Sequence, residues 1–249
     1  MHYGMIRGNV ADFDTPQNPA CIDDSSPKEV CPWLIWQLID SAFPVGAFVH
    51  SGGLESAVQL GQVRDPQDVA TYISTSLRSN ATLFGPVIVK VLQSPDQYIE
   101  IDAFLDVSFR NPIPNQASRS QGQAFLYTAY EIWSDPFLLQ AKKRLQNKQW
   151  YGHLPISFGL VCKVLQMDVI KTVDAFLFCQ MRGMISAAVR LGVIGSRQAQ
   201  KVQNKLSIHR DQWLSISLQT PFEDIAQTAP LIEILQAQHE KLFSRIFVS

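Results

Sequence analysis

The chain has 249 residues, enough for one large domain with an ample core or for two small ones. Hydrophobic residues make up 46% and charged residues 17%, with a net charge of -1. This is the balance of a globular protein with a weakly charged surface. It gives no electrostatic footing for nucleic acid or an anionic membrane, and it leaves room for apolar contact patches.

Residues 1–30 differ from everything after them. Asp12, Asp14, Asp23, Asp24 and Glu29 outnumber Arg7 and Lys28, and no helical period is present. They are expected to form a mobile tail ahead of one folded unit, residues 31–249. No basic segment followed by an apolar one marks a secretory leader. The longest apolar run, 175–189, is interrupted by Gln180 and Arg182 and is too short to span a membrane. The chain therefore reads as cytosolic. Cys21, Cys31, Cys162 and Cys179 share no metal-like spacing, and the last two sit in apolar runs as expected of reduced core thiols.

Pro32 suits the first turn of a helix bearing Trp33, Leu34, Leu38 and Ile39. Residues 40–58, D-S-A-F-P-V-G-A-F-V-H-S-G-G-L-E-S-A-V, then join this short helix to an amphipathic one through a turn rich in small residues. Pro44 presets its own φ, and Gly46, Gly52 and Gly53 permit positive φ or close backbone approach. Ser51 is expected to cap the following helix, which carries Leu54, Ala57 and Val58 and ends at Gly61. Asp65-Pro66 opens a helix with Val69, Tyr72, Ile73, Ser76 and Leu77 in period. After Gly85-Pro86, residues 87–92 read as helix because no strand-like run exists to pair with them.

A helix over 99–109 is expected to end at Asn111-Pro112-Ile113-Pro114. The next, 116–133, places Ala117, Ala124, Phe125, Thr128 and Ile132 near one face. Asp135-Pro136 opens a helix to 146, whose Lys142, Lys143 and Arg144 read as a solvated end. Gly152-His153-Leu154-Pro155 breaks the chain, with His153 as a local cap, before a helix over 156–165. Asp168 caps the most apolar helix, reaching about Leu191. It is apolar around more than half its circumference, so it is expected to be the buried central post. Ser196 caps a helix to about 217 on which His209 is solvated, and 231–243 forms the last helix. About ten helices and no confident strand predict an all-α, single-domain helical bundle around a buried central helix.

Chemical constellations are missing from this pattern. There is no G-x-x-x-x-G-K-[ST] and no C-x-x-C. His239-Glu240 begins like a zincin helix, but Phe243 stands where the second histidine must be. Val49 replaces the first glycine of a nucleophile elbow around Ser51. The chain reads as a non-enzyme without a cofactor. The alternative from another class is a helical metal-binding protein or metalloenzyme using His50 and Glu55.

The stretch Asp40-Ser41-Ala42-Phe43-Pro44-Val45-Gly46-Ala47-Phe48, with His50-Ser51-x-Gly53-Leu54-Glu55, resembles the signature turn of the urease accessory protein UreF family. Four further segments agree in order. Ala117-Ser118-Arg119 with Gly122 resembles the family's central Arg/Gly segment, and His153-Leu154-Pro155-Ile156-Ser157-Phe158-Gly159 its H-x-P segment. Ser186-Ala187-Ala188-Val189-Arg190-Leu191-Gly192 is similar to its A-A-V-[RK]-L segment. The end, from Ala229-Pro230-Leu231 through His239-Glu240 to Ser249, is similar to its H-E-x-x-[YF]-S-R-L-F-x-S ending. The departures are Ala47, Val49, Gly52 and the run Ile194-Gly195-Ser196-Arg197.

The resemblance implies an all-helical, non-enzymatic maturation factor, often dimeric. Its partners would be the accessory protein UreD (also called UreH), the GTPase UreG and apo-urease, into which nickel is inserted. On that basis Pro44, Gly46, His50, Gly53 and Glu55 are expected to shape a surface for UreG. His239, Glu240, Phe243, Ile246 and Phe247 would order against UreD, with Arg245 as a polar clamp. Arg119, Arg190 and Arg197 are candidates for acting on UreG GTP hydrolysis. A nickel carrier using His50 or Cys162 is the remaining rival.

Overall fold

The computed structural model describes residues 30–44 and 50–248. The expected N-terminal tail up to residue 29, and Gly46 with the rest of 45–49, lie outside the described residues. The described residues form twelve α-helices and no strand. They are α1 (Pro32–Ile39), α2 (Leu54–Gln59), α3 (Pro66–Leu83), α4 (Gly85–Gln93), α5 (Tyr98–Ser108), α6 (Pro112–Trp133), α7 (Pro136–Gln146), α8 (Leu154–Val164), α9 (Val169–Arg190), α10 (Ser196–Ser207), α11 (Arg210–Gln219) and α12 (Pro230–Gln238).

Local rules explain most of the boundaries. Asp65 accepts from the backbone N–H of Gln67 and Asp68, and Asp135 from those of Phe137 and Leu138, each with proline at the first helical position. Asp168 caps α9 by accepting from Lys171 N–H at 2.8 Å. As expected, α9 is the post of the bundle: it packs against α1, α2, α3, α4, α8, α10 and α11. Val173, Phe176, Leu177, Met181, Met184, Ala187 and Ala188 supply its buried surface. Beside it α8 is enclosed even more completely, with every residue from Pro155 to Cys162 buried.

Several boundaries differ from the sequence reading. Ser51 does not cap α2; its hydroxyl is buried without a partner among the described residues, and Gly53 takes the cap position at φ 85. The turn there is made by backbone, through the positive φ of Gly52 and Gly53 and a Leu54 N–H to Ser51 carbonyl bond of 3.2 Å. Pro112 and Pro114 do not break the chain but form the first turn of α6, capped by Asn111, where the missing N–H groups are not needed. The buried face of α6 is also rotated from the expected one. It runs through Asn115, Ala117, Ser118, Gly122, Phe125, Leu126 and Ala129, because two polar residues and a glycine are used for contacts inside the fold.

The expected helix over 197–217 is two helices, α10 and α11, separated at Ile208-His209. Gly195, not Ser196, caps the first, with its N–H donating to Gln198 Oε1 at 2.8 Å. His209 is half-buried against the Trp213 ring, 5.8 Å between centroids, instead of solvated. The last helix stops at Gln238, followed by a short 3₁₀ turn over His239–Lys241 and an irregular tail.

Candidate functional site

Glu55 enters from the first turn of α2 and is completely buried. Its Oε2 accepts from His239 Nε2 at 3.0 Å and from Phe247 N–H at 3.2 Å, and its Oε1 accepts from Ile246 N–H at 2.6 Å. A buried carboxylate is tolerated only where donors of this kind surround it. The tail is also held by Gln59 Nε2, which donates to the Ser244 carbonyl at 2.9 Å. Phe247 is buried, with the Arg190 guanidinium 4.3 Å above its ring. The turn and the C-terminus, two motifs far apart in the chain, are thus one physical unit.

The glycines of the turn make that unit possible. The Gly52 carbonyl accepts from the buried Tyr72 hydroxyl at 2.8 Å and from Gln236 Nε2 at 3.4 Å. A Cβ on Gly53 would stand 2.8 Å from Gln236 Cγ and 2.9 Å from the Tyr72 hydroxyl, so no larger residue fits between α3 and α12. His50 is half-buried beside this unit. Burial and the neighbouring His239 push its imidazole below the ordinary value of 6.5.

A second buried cluster joins the central and H-x-P segments. Asp102 on α5 is fully buried and accepts from the backbone N–H groups of Tyr151 at 2.5 Å, Gly152 at 3.3 Å and His153 at 3.0 Å. Burial raises its carboxyl above the ordinary value, against the opposing pull of His153 and those three amides. His153 is not a capping side chain: it is wholly buried, with Nε2 3.0 Å from Asp106 Oδ1 and Nδ1 3.2 Å from Ser118 Oγ. Asp106 is also paired with Arg119, whose guanidinium lies 4.2 Å over the Tyr151 ring, and it accepts from Asn115 at 3.1 Å. Burial pushes the Asp106 carboxyl up, but the hydrogen bonds from Asn115, Arg119 and His153 outweigh it and hold the group below its ordinary value.

Burial also drives His153 below 6.5, overriding the upward pull of Asp102 and Asp106. A neutral ring with its proton on Nε2 donates to Asp106 and accepts from the Ser118 hydroxyl, which in turn accepts from Leu154 N–H at 3.2 Å. On acidification the unfolded chain protonates His50 and His153 near 6.5, while the folded chain resists until lower pH. Stability is therefore full above about 6.5 and falls below it, by at most about 1.4 kcal/mol per pH unit for each histidine. Urea midpoints measured at about pH 7.5, 6.5 and 5.5 are expected to fall across that series; a flat series would contradict the buried neutral histidines.

Of the residues singled out in the sequence, Gly53, Glu55, His239, Phe247 and Arg190 come together in the first unit, with His50 beside it. Arg119 belongs to the second cluster and is committed to Asp106 and Tyr151. Arg197 is exposed on the first turn of α10. The Pro44 carbonyl meets Thr128 Oγ1 at 3.4 Å. Glu240 and Arg245 are exposed. The expected apolar anchors split: Phe247 is spent on the chain's own core, while Phe243 is fully exposed and Ile246 is 58% exposed. Sequence reasoning missed Asp102 and Asp106. Their one local signal is the i, i+4 spacing of two carboxylates on an apolar helix.

These buried carboxylates and histidines are consumed in holding backbone and neighbouring side chains. The fold and site thus define an all-helical bundle whose turn and C-terminal tail are locked together through a buried carboxylate, with Phe243 and Ile246 left at the surface. Residues 63–207 match the UreF family. The chain is 36% identical over 222 residues to urease accessory protein F of Arabidopsis thaliana, covering 87% of this chain and 92% of that protein. It is 34% identical over 220 residues to urease accessory protein F of Oryza sativa subsp. indica, covering 86% and 84%. With urease accessory protein UreF of Bacillus sp. (strain TB-90) the identity is 28% over 222 residues, covering 86% and 97%. The chain belongs to the UreF family.

Proposed function

We propose that this chain is a urease maturation factor, a scaffold that bridges UreD (UreH) and the GTPase UreG on apo-urease while nickel is inserted. The observation that supports this most is the Glu55 clamp. It seats an irregular C-terminal tail by its backbone and leaves Phe243, Ile246 and Val248 facing outward. Leu60 at the end of α2, and Leu231 and Ile234 on α12, add exposed apolar side chains on elements tied to that tail. Exposed apolar groups gathered on one seated segment are the kind of surface a partner protein covers. The metalloenzyme alternative loses its ligand, because both Glu55 oxygens are already committed. Among the described residues no three His, Cys, Asp or Glu side chains are grouped to hold a metal.

Phe243→Asp combined with Ile246→Asp tests the docking surface without touching the core. Co-purification with UreD is expected to be lost while the melting temperature stays within about 2 °C of wild type, as surface substitutions rarely exceed about 0.5 kcal/mol. Undiminished capture would sink the docking claim. In the same preparation, Arg197→Ala is expected to abolish stimulation of single-turnover GTP hydrolysis by UreG, for which an arginine in trans is worth roughly 10³–10⁵. A wild-type chain that leaves the UreG rate unchanged removes the GTPase part of the proposal.

A further inference from the structure

A cavity of about 140 Å³ lies among α3, α6, α9, α12 and the Gly52-Gly53 turn. Asn80, Gln121, Gln180, Gln227, Gln236 and Glu233 are among its lining residues, and none of the lining residues is a lysine or arginine. Among the described residues no cation is paired with Glu233, and burial raises its carboxyl above the ordinary value. Its backbone carbonyl accepts from Asn111 Nδ2 at 2.9 Å. Among the described residues the other titratable side chains on the wall, His50 and Cys179, are uncharged at neutral pH. Burial lowers the first and raises the second to about 11. Phe84 and Phe109, packed edge to face with centroids 5.5 Å apart, are among the apolar lining residues.

We propose that this cavity binds a guanidinium group, with Glu233 as its counter-ion. A guanidinium is planar, weakly hydrated and carries five donors, so it answers a carboxylate set in a wall of amide-bearing and apolar residues. An ammonium ion is a strongly hydrated point charge and is poorly matched to a half-apolar wall. A metal ion is served worse still, since no three ligating side chains converge among the described residues. The guanidinium could belong to a free small molecule or to an arginine side chain of a docked protein.

The full chain is titrated with methylguanidinium, with a blocked Gly-Arg-Gly tripeptide and with methylammonium, followed by calorimetry. Saturable binding of methylguanidinium, the tripeptide or both is expected. It should weaken at least about tenfold in Glu233→Gln, as loss of a charged partner implies. It should vanish in Gly183→Leu, because Gly183 lines the cavity and a Cβ there meets nothing within 4 Å. Tighter binding of the tripeptide assigns the site to a partner's arginine, and binding of methylguanidinium alone assigns it to a free ligand. No saturable binding by either, equal binding of methylammonium, or undiminished affinity in Glu233→Gln overturns the proposal. Glu233→Gln is isosteric and carries the test even if Gly183→Leu fails to fold.

Discussion

Replacing Glu55 by alanine is expected to destabilise the fold by at least about 3 kcal/mol, because three donors lose their acceptor at roughly 1–3 kcal/mol for each buried group left unsatisfied. The magnitude follows from what is stranded. His239 Nε2 and the N–H groups of Ile246 and Phe247 lose their acceptor in a region where Glu55 and His239 are both fully buried. Among the described residues His239 Nδ1 has no partner, so the ring would lose the one hydrogen bond it makes to them. Against a typical total of about 5–15 kcal/mol, this is a large fraction of the stability. Glu55→Gln keeps the shape but turns one acceptor into a donor facing an N–H, so it should also be costly. Urea unfolding gives the energies, and protease cleavage after residue 240 reports release of the tail. Both variants within about 0.5 kcal/mol of wild type, with an uncut tail, would refute the clamp.

Gly122→Ala is the second large effect, expected to cost more than about 3 kcal/mol, beyond the usual range for overpacking. The new Cβ would lie 2.2 Å from the Gly152 carbonyl oxygen, 2.5 Å from Leu154 N and 2.6 Å from His153 C. All three are backbone atoms and cannot swing aside. Relief requires α6 to separate from the start of α8, which pulls on the three amides held by Asp102 and on the Ser118 contact to Leu154. Gly183→Ala on α9 is the matched control. Its Cβ meets nothing, so the ordinary gain of about 0.5–1 kcal/mol for removing a helical glycine should appear. Opposite signs for the two substitutions, read from denaturation midpoints, distinguish close packing from helix propensity; a neutral Gly122→Ala would refute the packing argument.

Much of the helical layout was legible because its signals are local. Asp65-Pro66 and Asp135-Pro136 place a cap and a proline in adjacent positions, and both mark observed helix starts. The apolar circumference of α9 announced a buried helix, and α9 is the post of the bundle. Errors arose where two local signals competed. Pro112 and Pro114 read as a break, although a helix's first turn accepts both; Ser51 read as a cap, although Gly52 and Gly53 turn the chain without it. The division between α10 and α11 has no proline or glycine to reveal it.

The amino-acid sequence by itself determined that this is an all-helical chain of the UreF family, and it exposed the motifs at the turn, at His153 and at the end. Which side chains those motifs engage was decided only by the tertiary structure. Glu55 and His239 are 184 positions apart, Asp102 and His153 51 apart. Caps, breaks and apolar periods report on one turn of helix and its neighbours. The burial of a carboxylate and the choice of its donors depend instead on where distant segments pack, which no local pattern carries.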